Sequence, residues 1–149
     1  MPCDPYGSHL RILAAVVNTH RPVRVLEIGA GFFSTGLLTA MCDSVVSVEV
    51  DPEWAADVSM AFPMAQVVDE IPPLAGFDLI FIDNGQSGAK PTGAERAATI
   101  RDILSKPHPV VVIHDAEVPE YAEEIDRLST NYSIFPTAPD TAVVVATNQ

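Results

Sequence analysis

The 149-residue chain predicts an α/β fold, with about seven strands in a mostly parallel, doubly wound sheet that ends in a C-terminal antiparallel hairpin. Three observations carry this. Short apolar, β-branched runs alternate with segments of helical period, the mark of βαβ units. Those runs are apolar on both faces, as in Phe77–Ile82 (FDLIFI), which requires helices above and below the sheet. The last two runs, Tyr132–Phe135 and Thr141–Ala146, are separated only by the turn Pro136–Asp140. That leaves no room for a crossover helix, so they should pair antiparallel.

Each element has a local reason. Ser8 is placed to cap a helix reaching about His20, whose apolar face is Leu10, Ile12, Leu13, Val16 and Val17; Arg21-Pro22 stops it. Val23–Ile28 is the first strand, and a helix from about Ser34 to Met41 follows a glycine turn. Val45–Val50 is the second strand, and Pro52 opens a helix that Pro63 ends at about Phe62. Ala65–Val68 is a short third strand and Phe77–Ile82 a fourth, closed by Asp83-Asn84-Gly85. The polar stretch Gly85–Gly93 precedes a helix over Ala94–Leu104, which buries Ala97, Ile100, Ile103 and Leu104. Val110–Ile113 is the fifth strand, ending in His114-Asp115. Pro119–Thr130 forms the last helix, with Tyr121, Ile125 and Leu128 inward and acids outward.

Composition narrows the function. A hydrophobic fraction of 48%, spread along the chain, gives one globular domain over 1–149. No apolar run approaches the roughly 18 residues of a membrane span, and the N-terminus lacks a secretory signal pattern. Cys3 and Cys42 match no metal spacing, which fits a reduced, cytoplasmic protein. A net charge of −12, with only Lys90 and Lys106 as lysines, argues against a nucleic-acid-binding surface.

The chemistry concentrates in Val23–Leu38 (VRVLEIGAGFFSTGLL) and at the strand ends. A strand, a tight glycine turn and a helix N-terminus in succession make a cradle for a nucleotide-type cofactor, because glycines admit close approach and free helix N–H groups face the ligand. The pattern is E-x-G-x-G, since Phe32 and Phe33 follow Gly31 where dinucleotide binders carry a third glycine. Glu27, Glu49, Asp69, Asp83 and His114-Asp115 stand at five strand ends, while the strand interiors carry almost no acid. In open α/β sheets ligands bind at those ends.

These motifs resemble the class I S-adenosylmethionine-dependent methyltransferases over nearly the whole chain. VLEIGAGFFST is similar to their first motif, VVSVEVDPEW to the second-strand motif, and FDLIFID and VVVIHDAEVPEY to the fourth and fifth strands, most like the small O-methyltransferase branch. The resemblance implies a Rossmann-like sheet, S-adenosyl-L-methionine as cofactor and a small-molecule acceptor. Glu49 would accept the ribose hydroxyls. Gly29, Ala30 and Gly31 would approach the methionine portion, with Ser34 or Thr35 capping the helix and meeting the ligand. Glu27 would orient the loop or hold the ligand's ammonium through water, and Asp69 or Glu70 would accept the adenine amino group. Val50 lies beside the ribose site; Trp54 stacks near it or packs its helix on the sheet. Phe32 and Phe33 line the pocket or join the core.

On the acceptor side, Asp83 and Asp115 stand where metal-dependent relatives bind magnesium with an asparagine that follows. Here Ala116 follows Asp115, although Asn84 follows Asp83; two aspartates and water could hold Mg²⁺, but the incomplete set favours a metal-free route with His114 as the candidate general base. His9, His20 and His108 read as surface residues. With no inserted lid, the acceptor pocket must draw on the Gly85–Gly93 loop, the N-terminal segment or a second subunit of a homo-oligomer. Two rivals remain: a cofactor-binding module without transfer chemistry, and a nicotinamide-dependent oxidoreductase, disfavoured by the absent third glycine and the closing hairpin.

Overall fold

The computed structural model describes residues 7–85 and 93–147. Seven strands form one sheet in the order β3-β2-β1-β4-β5-β7-β6. They are β1 (Arg24–Ile28), β2 (Ser44–Val48), β3 (Ala65–Val68), β4 (Leu79–Ile82), β5 (Val110–His114), β6 (Tyr132–Phe135) and β7 (Thr141–Val144). The first five are parallel; β7 runs antiparallel to both β5 and β6. The helices are α1 (Leu10–His20), α2 (Phe32–Met41), α3 (Pro52–Ala61), α4 (Gly93–Leu104) and α5 (Pro119–Leu128).

Alternation along each parallel strand sends side chains into two cores. Leu26, Ile28, Ile80 and Ile82 pack with Ile100 and Ile103 of α4 and Ile125 of α5. Val25, Leu79, Phe81 and Val112 pack with Leu13 and Val17 of α1 and Leu38 of α2. Each such fully buried side chain contributes about 1.5–3 kcal/mol of transfer free energy, so the central strands are pinned from both faces and their ends are rigidly placed. Among the described residues no helix is long and apolar enough to cross a membrane.

Several boundaries differ from expectation for local reasons. Ser8 does not cap α1: the N-cap is His9, without a side-chain cap bond, and the Ser8 hydroxyl instead meets His114 Nε2 at 3.1 Å. Helix α2 starts two residues early because Gly31 itself is the N-cap, so neither Ser34 nor Thr35 caps it. Strand β4 starts late because Phe77 N–H closes a turn onto Leu74 O. Not every acid of α5 faces outward: Glu124 is buried against α4, where its carboxylate accepts from Arg101 Nε at 2.9 Å and also from Arg127.

Candidate functional site

The sheet order reverses between β1 and β4, and the chain leaves the carboxyl ends of those strands in opposite directions. A cleft of about 780 Å³ opens there, within the size range of small-molecule sites. Gly29 shapes its floor. With φ +93° it adopts a conformation that L side chains rarely hold, and a Cβ there would stand 2.5 Å from Asp83 O and 2.6 Å from Asn84 N. The β1 turn and the β4 exit therefore approach as only glycine allows. Gly31 differs: its φ of −145° is open to any residue, and a Cβ would meet only the Ser34 hydroxyl at 3.3 Å.

A polar relay holds this turn. Gly31 N–H donates to Thr35 Oγ1 (3.1 Å), which donates to Glu27 Oε2 (2.6 Å); Ser47 Oγ donates to the same oxygen (2.6 Å). Glu27 is fully buried, and its Oε1 has no hydrogen-bond partner among the described residues. Burial pushes its carboxyl up to about 7, against the lowering effect of the hydroxyls of Ser34, Ser47 and Thr35. Glu27 and Thr35 lie behind the turn and are not among the residues lining the cleft; Ser34, Ala30 and both glycines are. No side chain caps α2, so its first-turn N–H groups stay available at the cleft.

The cofactor half is completed by β2 and α3. Glu49 leaves β2 with Oε1 accepting Asp51 N–H at 2.9 Å, which fixes the carboxylate at the cleft. Val50 beside it is 70% exposed and lines the cleft. Asp51, which sequence reasoning did not single out, also lines it and caps α3 by accepting from Glu53 N–H and Trp54 N–H. The Trp54 indole N–H donates to Ala30 O at 2.7 Å and its ring meets Phe32 edge-on at 5.0 Å. It braces the glycine turn from α3. Phe32 and Phe33 line the cleft, half exposed, and are not core. Asp69 lines the cleft, with Ile71 as an unanticipated apolar neighbour; Glu70 is exposed and is not a lining residue.

The other half gathers side chains from four elements. His114 Nδ1 lies 3.1 Å from Asp83 Oδ1, and both residues line the cleft. Asp115, in a left-handed conformation at φ 57°, turns away from the lining. The link between the two aspartates is Arg96 of α4, which sequence reasoning missed. Only 1% exposed, it places Nη2 3.1 Å from Asp83 Oδ1 and Nη1 2.6 Å from Asp115 Oδ2, while Nε donates to Asn84 O. A guanidinium thus bridges the two carboxylates. The expectation for the histidines needs correction. His20 is exposed, but His108 is buried with Nδ1 at Pro109 O, and His9 is only 1% exposed. The His9 ring lies edge-on to His114 with centroids 4.5 Å apart and lines the cleft. Burial holds its pKa down at about 4, helped by the neighbouring His114, so it is neutral at pH 7. Of the proposed acceptor loop, residues 86–92 lie outside the described residues.

No protein-family model matches the chain, and no curated protein sequence matches it. Solved structures do. A TehB-like S-adenosylmethionine-dependent methyltransferase from Corynebacterium glutamicum superposes with a TM-score of 0.67 at 18% identity, covering 98% of this chain and 90% of that one. An O-methyltransferase from Bacillus cereus, solved with S-adenosylhomocysteine, gives 0.58 at 19% identity over 97% and 82%. A Thermus thermophilus 16S rRNA methyltransferase in complex with S-adenosylmethionine and guanosine gives 0.71 at 19% identity, with this chain spanning 44% of its length. With the strand order and the closing hairpin, these likenesses show that the chain has the fold of the class I S-adenosylmethionine-dependent methyltransferases.

Proposed function

We propose that the protein is a cytoplasmic enzyme that transfers a methyl group from S-adenosyl-L-methionine to a small-molecule acceptor. The observation that carries this is one cleft holding both halves of the chemistry: a glycine turn, an uncapped helix N-terminus and a fixed strand-end acid on one side, and a His–Asp pair on the other. The residues fit the cofactor. Glu49 has one oxygen engaged by Asp51 N–H and a second available for ribose hydroxyls. The first-turn N–H groups of α2 suit the methionine carboxylate. Asp69 and Ile71 offer an acceptor and an apolar surface for a purine, with Val50 and Phe32 adjoining.

When bound, the cofactor supplies an electrophilic methyl group on a sulfonium. The chain supplies position and a proton acceptor. Arg96 fixes Asp83, and Asp83 accepts from His114 Nδ1–H, which assigns the basic lone pair to Nε2. That atom, now 3.1 Å from Ser8 Oγ, takes the acceptor's proton. The route is metal-free, with His114 itself as the proton acceptor and Arg96 paired to Asp83 and Asp115. The acidic rim of Asp51, Asp69 and Glu95 favours a small neutral or cationic acceptor over a polyphosphate.

Methyl-labelled S-adenosylmethionine incubated with a panel of small alcohols and amines tests the reading. Transfer should be indifferent to EDTA and should fall about 10²–10⁴-fold in His114→Ala. Activity abolished by EDTA and restored by Mg²⁺ would overturn the metal-free route, and activity indifferent to His114→Ala would remove the base.

A further inference from the structure

We propose that Glu27, without touching the cofactor, sets the cleft's preference for the sulfonium cofactor over its neutral product, by giving up a proton when the cation binds. This rests on the methyltransferase reading and deepens it. Glu27 is fully buried and directly precedes Ile28, Gly29, Ala30 and Gly31, which all line the cleft. A buried carboxylate is ordinarily matched by a cation. Among the described residues no cation pairs with Glu27, whose Oε2 accepts only from the hydroxyls of Thr35 and Ser47. Nor do the surrounding elements supply one. Its neighbours are Ser47 on β2 and Phe81 on β4, and α2 adds the hydroxyls of Ser34 and Thr35. From α1 come Leu13, Val17 and His9, which is neutral at pH 7. The charge that bears on Glu27 is Asp83, of the same sign and itself paired with Arg96. A cation arriving in the cleft is the missing partner.

The cofactor and its product differ in that respect. S-adenosylmethionine carries a sulfonium, an ammonium and a carboxylate, and is a net cation. In S-adenosylhomocysteine a thioether replaces the sulfonium, and the molecule is a neutral zwitterion. An ionised Glu27 attracts the first more than the second, while a protonated one leaves the two alike. Burial holds its carboxyl at about 7, so near neutral pH both forms are populated in the free protein. The hydrogen bonds allow the change without rearrangement. Thr35 and Ser47 donate to Oε2 in either state, and the proton resides on Oε1, which has no hydrogen-bond partner among the described residues. On ionisation that O–H bond breaks, the proton passes to solvent and the electron pair stays on the carboxylate. Unit charges about 10 Å apart in surroundings of effective dielectric about 20 shift an equilibrium by up to roughly tenfold. That is the scale for a carboxylate lying just behind the cleft wall. Methyl transfer removes the sulfonium charge, and with it the attraction that held the cofactor.

Calorimetry with both ligands, in phosphate and in Tris, counts the protons exchanged on binding. At pH 7 S-adenosylmethionine should release about 0.3–0.4 proton more than S-adenosylhomocysteine does. The ratio of their affinities, sulfonium over thioether, should rise about three- to sevenfold between pH 5.5 and 8. The ligands' own amino groups titrate alike and cancel in the comparison. Glu27→Gln keeps an oxygen for Thr35 and Ser47 but cannot ionise, so the extra proton and the pH dependence of the ratio should both disappear. A second measurement needs no variant. In protein labelled with ¹³C at the glutamate carboxyls, one signal should titrate near pH 7. Its midpoint should fall by about 0.5–1 pH unit on saturation with S-adenosylmethionine and less with S-adenosylhomocysteine. Equal proton release by the two ligands would overturn the proposal, as would an extra proton that survives in Glu27→Gln or the lack of any glutamate titrating near pH 7. Those outcomes leave the methyltransferase reading standing. Binding of neither ligand would remove that reading, and this proposal with it.

Discussion

Replacing Arg96 with methionine keeps most of the buried stem and removes the guanidinium. What is left behind sets the size of the effect. Asp83 and Asp115 lose their bridging cation, and the carbonyls of Asn84 and His114 lose their donors, all around a side chain only 1% exposed. Removing one partner from a buried ion pair costs about 3–5 kcal/mol, because the remaining charge is uncompensated. In a chain of this size that corresponds to a fall of roughly 6–20 °C in melting temperature. Urea and thermal unfolding followed by circular dichroism measure it. Adding Asp83→Asn and Asp115→Asn removes the stranded charges and should recover part of the loss, which a mere packing defect would not allow. A loss below about 1 kcal/mol, the scale of an exposed pair, would refute the claim that Arg96 holds the two carboxylates.

Three further outcomes follow. Gly29→Ala should destabilise the fold by at least about 1 kcal/mol from its positive φ alone and weaken S-adenosylhomocysteine binding by displacing the β4 exit, whereas Gly31→Ala should fold normally; equal stability of the two variants in urea would contradict the geometry. Glu27 holds its proton up to about pH 7 when folded, against 4.5 ordinarily, so its contribution is complete below pH 4.5 and is lost as pH rises through 7. Wild type should therefore lose about 3 kcal/mol relative to Glu27→Gln between pH 4.5 and 8, and parallel stability curves would show that Glu27 ionises freely. Trp54, the single tryptophan, is bonded to Ala30 at the cleft, so its fluorescence should change saturably with S-adenosylhomocysteine; an unchanged spectrum at saturation would place the ligand elsewhere.

The fold was legible because its signals are local. β1, β2, β4 and β5 are apolar on both faces, and Pro52 and Pro119 mark helix starts. The short spacing between β6 and β7 required a hairpin. Legibility of the cleft stopped where partners lie far apart in the chain. Glu49, Asp83 and His114 sit at strand ends and could be read from position. Nothing in the sequence singles out Arg96, since Asp83 and Asp115 are distant in sequence on either side. His9 looked like a surface residue in a helix start, and only the packing of α1 across Phe81 brings it to His114. The α2 start was misplaced because Ser34 and Thr35 resemble caps, while Thr35 is held inward by Glu27.

The central claim, a cofactor site for S-adenosylmethionine built on Glu49 and the glycine turn, is tested most directly by calorimetry. S-adenosylhomocysteine titrated into the protein should bind at one site per chain. Glu49→Ala should weaken that binding by about 1.5–3 kcal/mol, the scale of charge-assisted hydrogen bonds, without changing the melting temperature of the free protein. A nicotinamide dinucleotide should give no comparable heat. Equal affinity in wild type and Glu49→Ala, or binding of the nicotinamide cofactor in place of S-adenosylhomocysteine, would contradict the account.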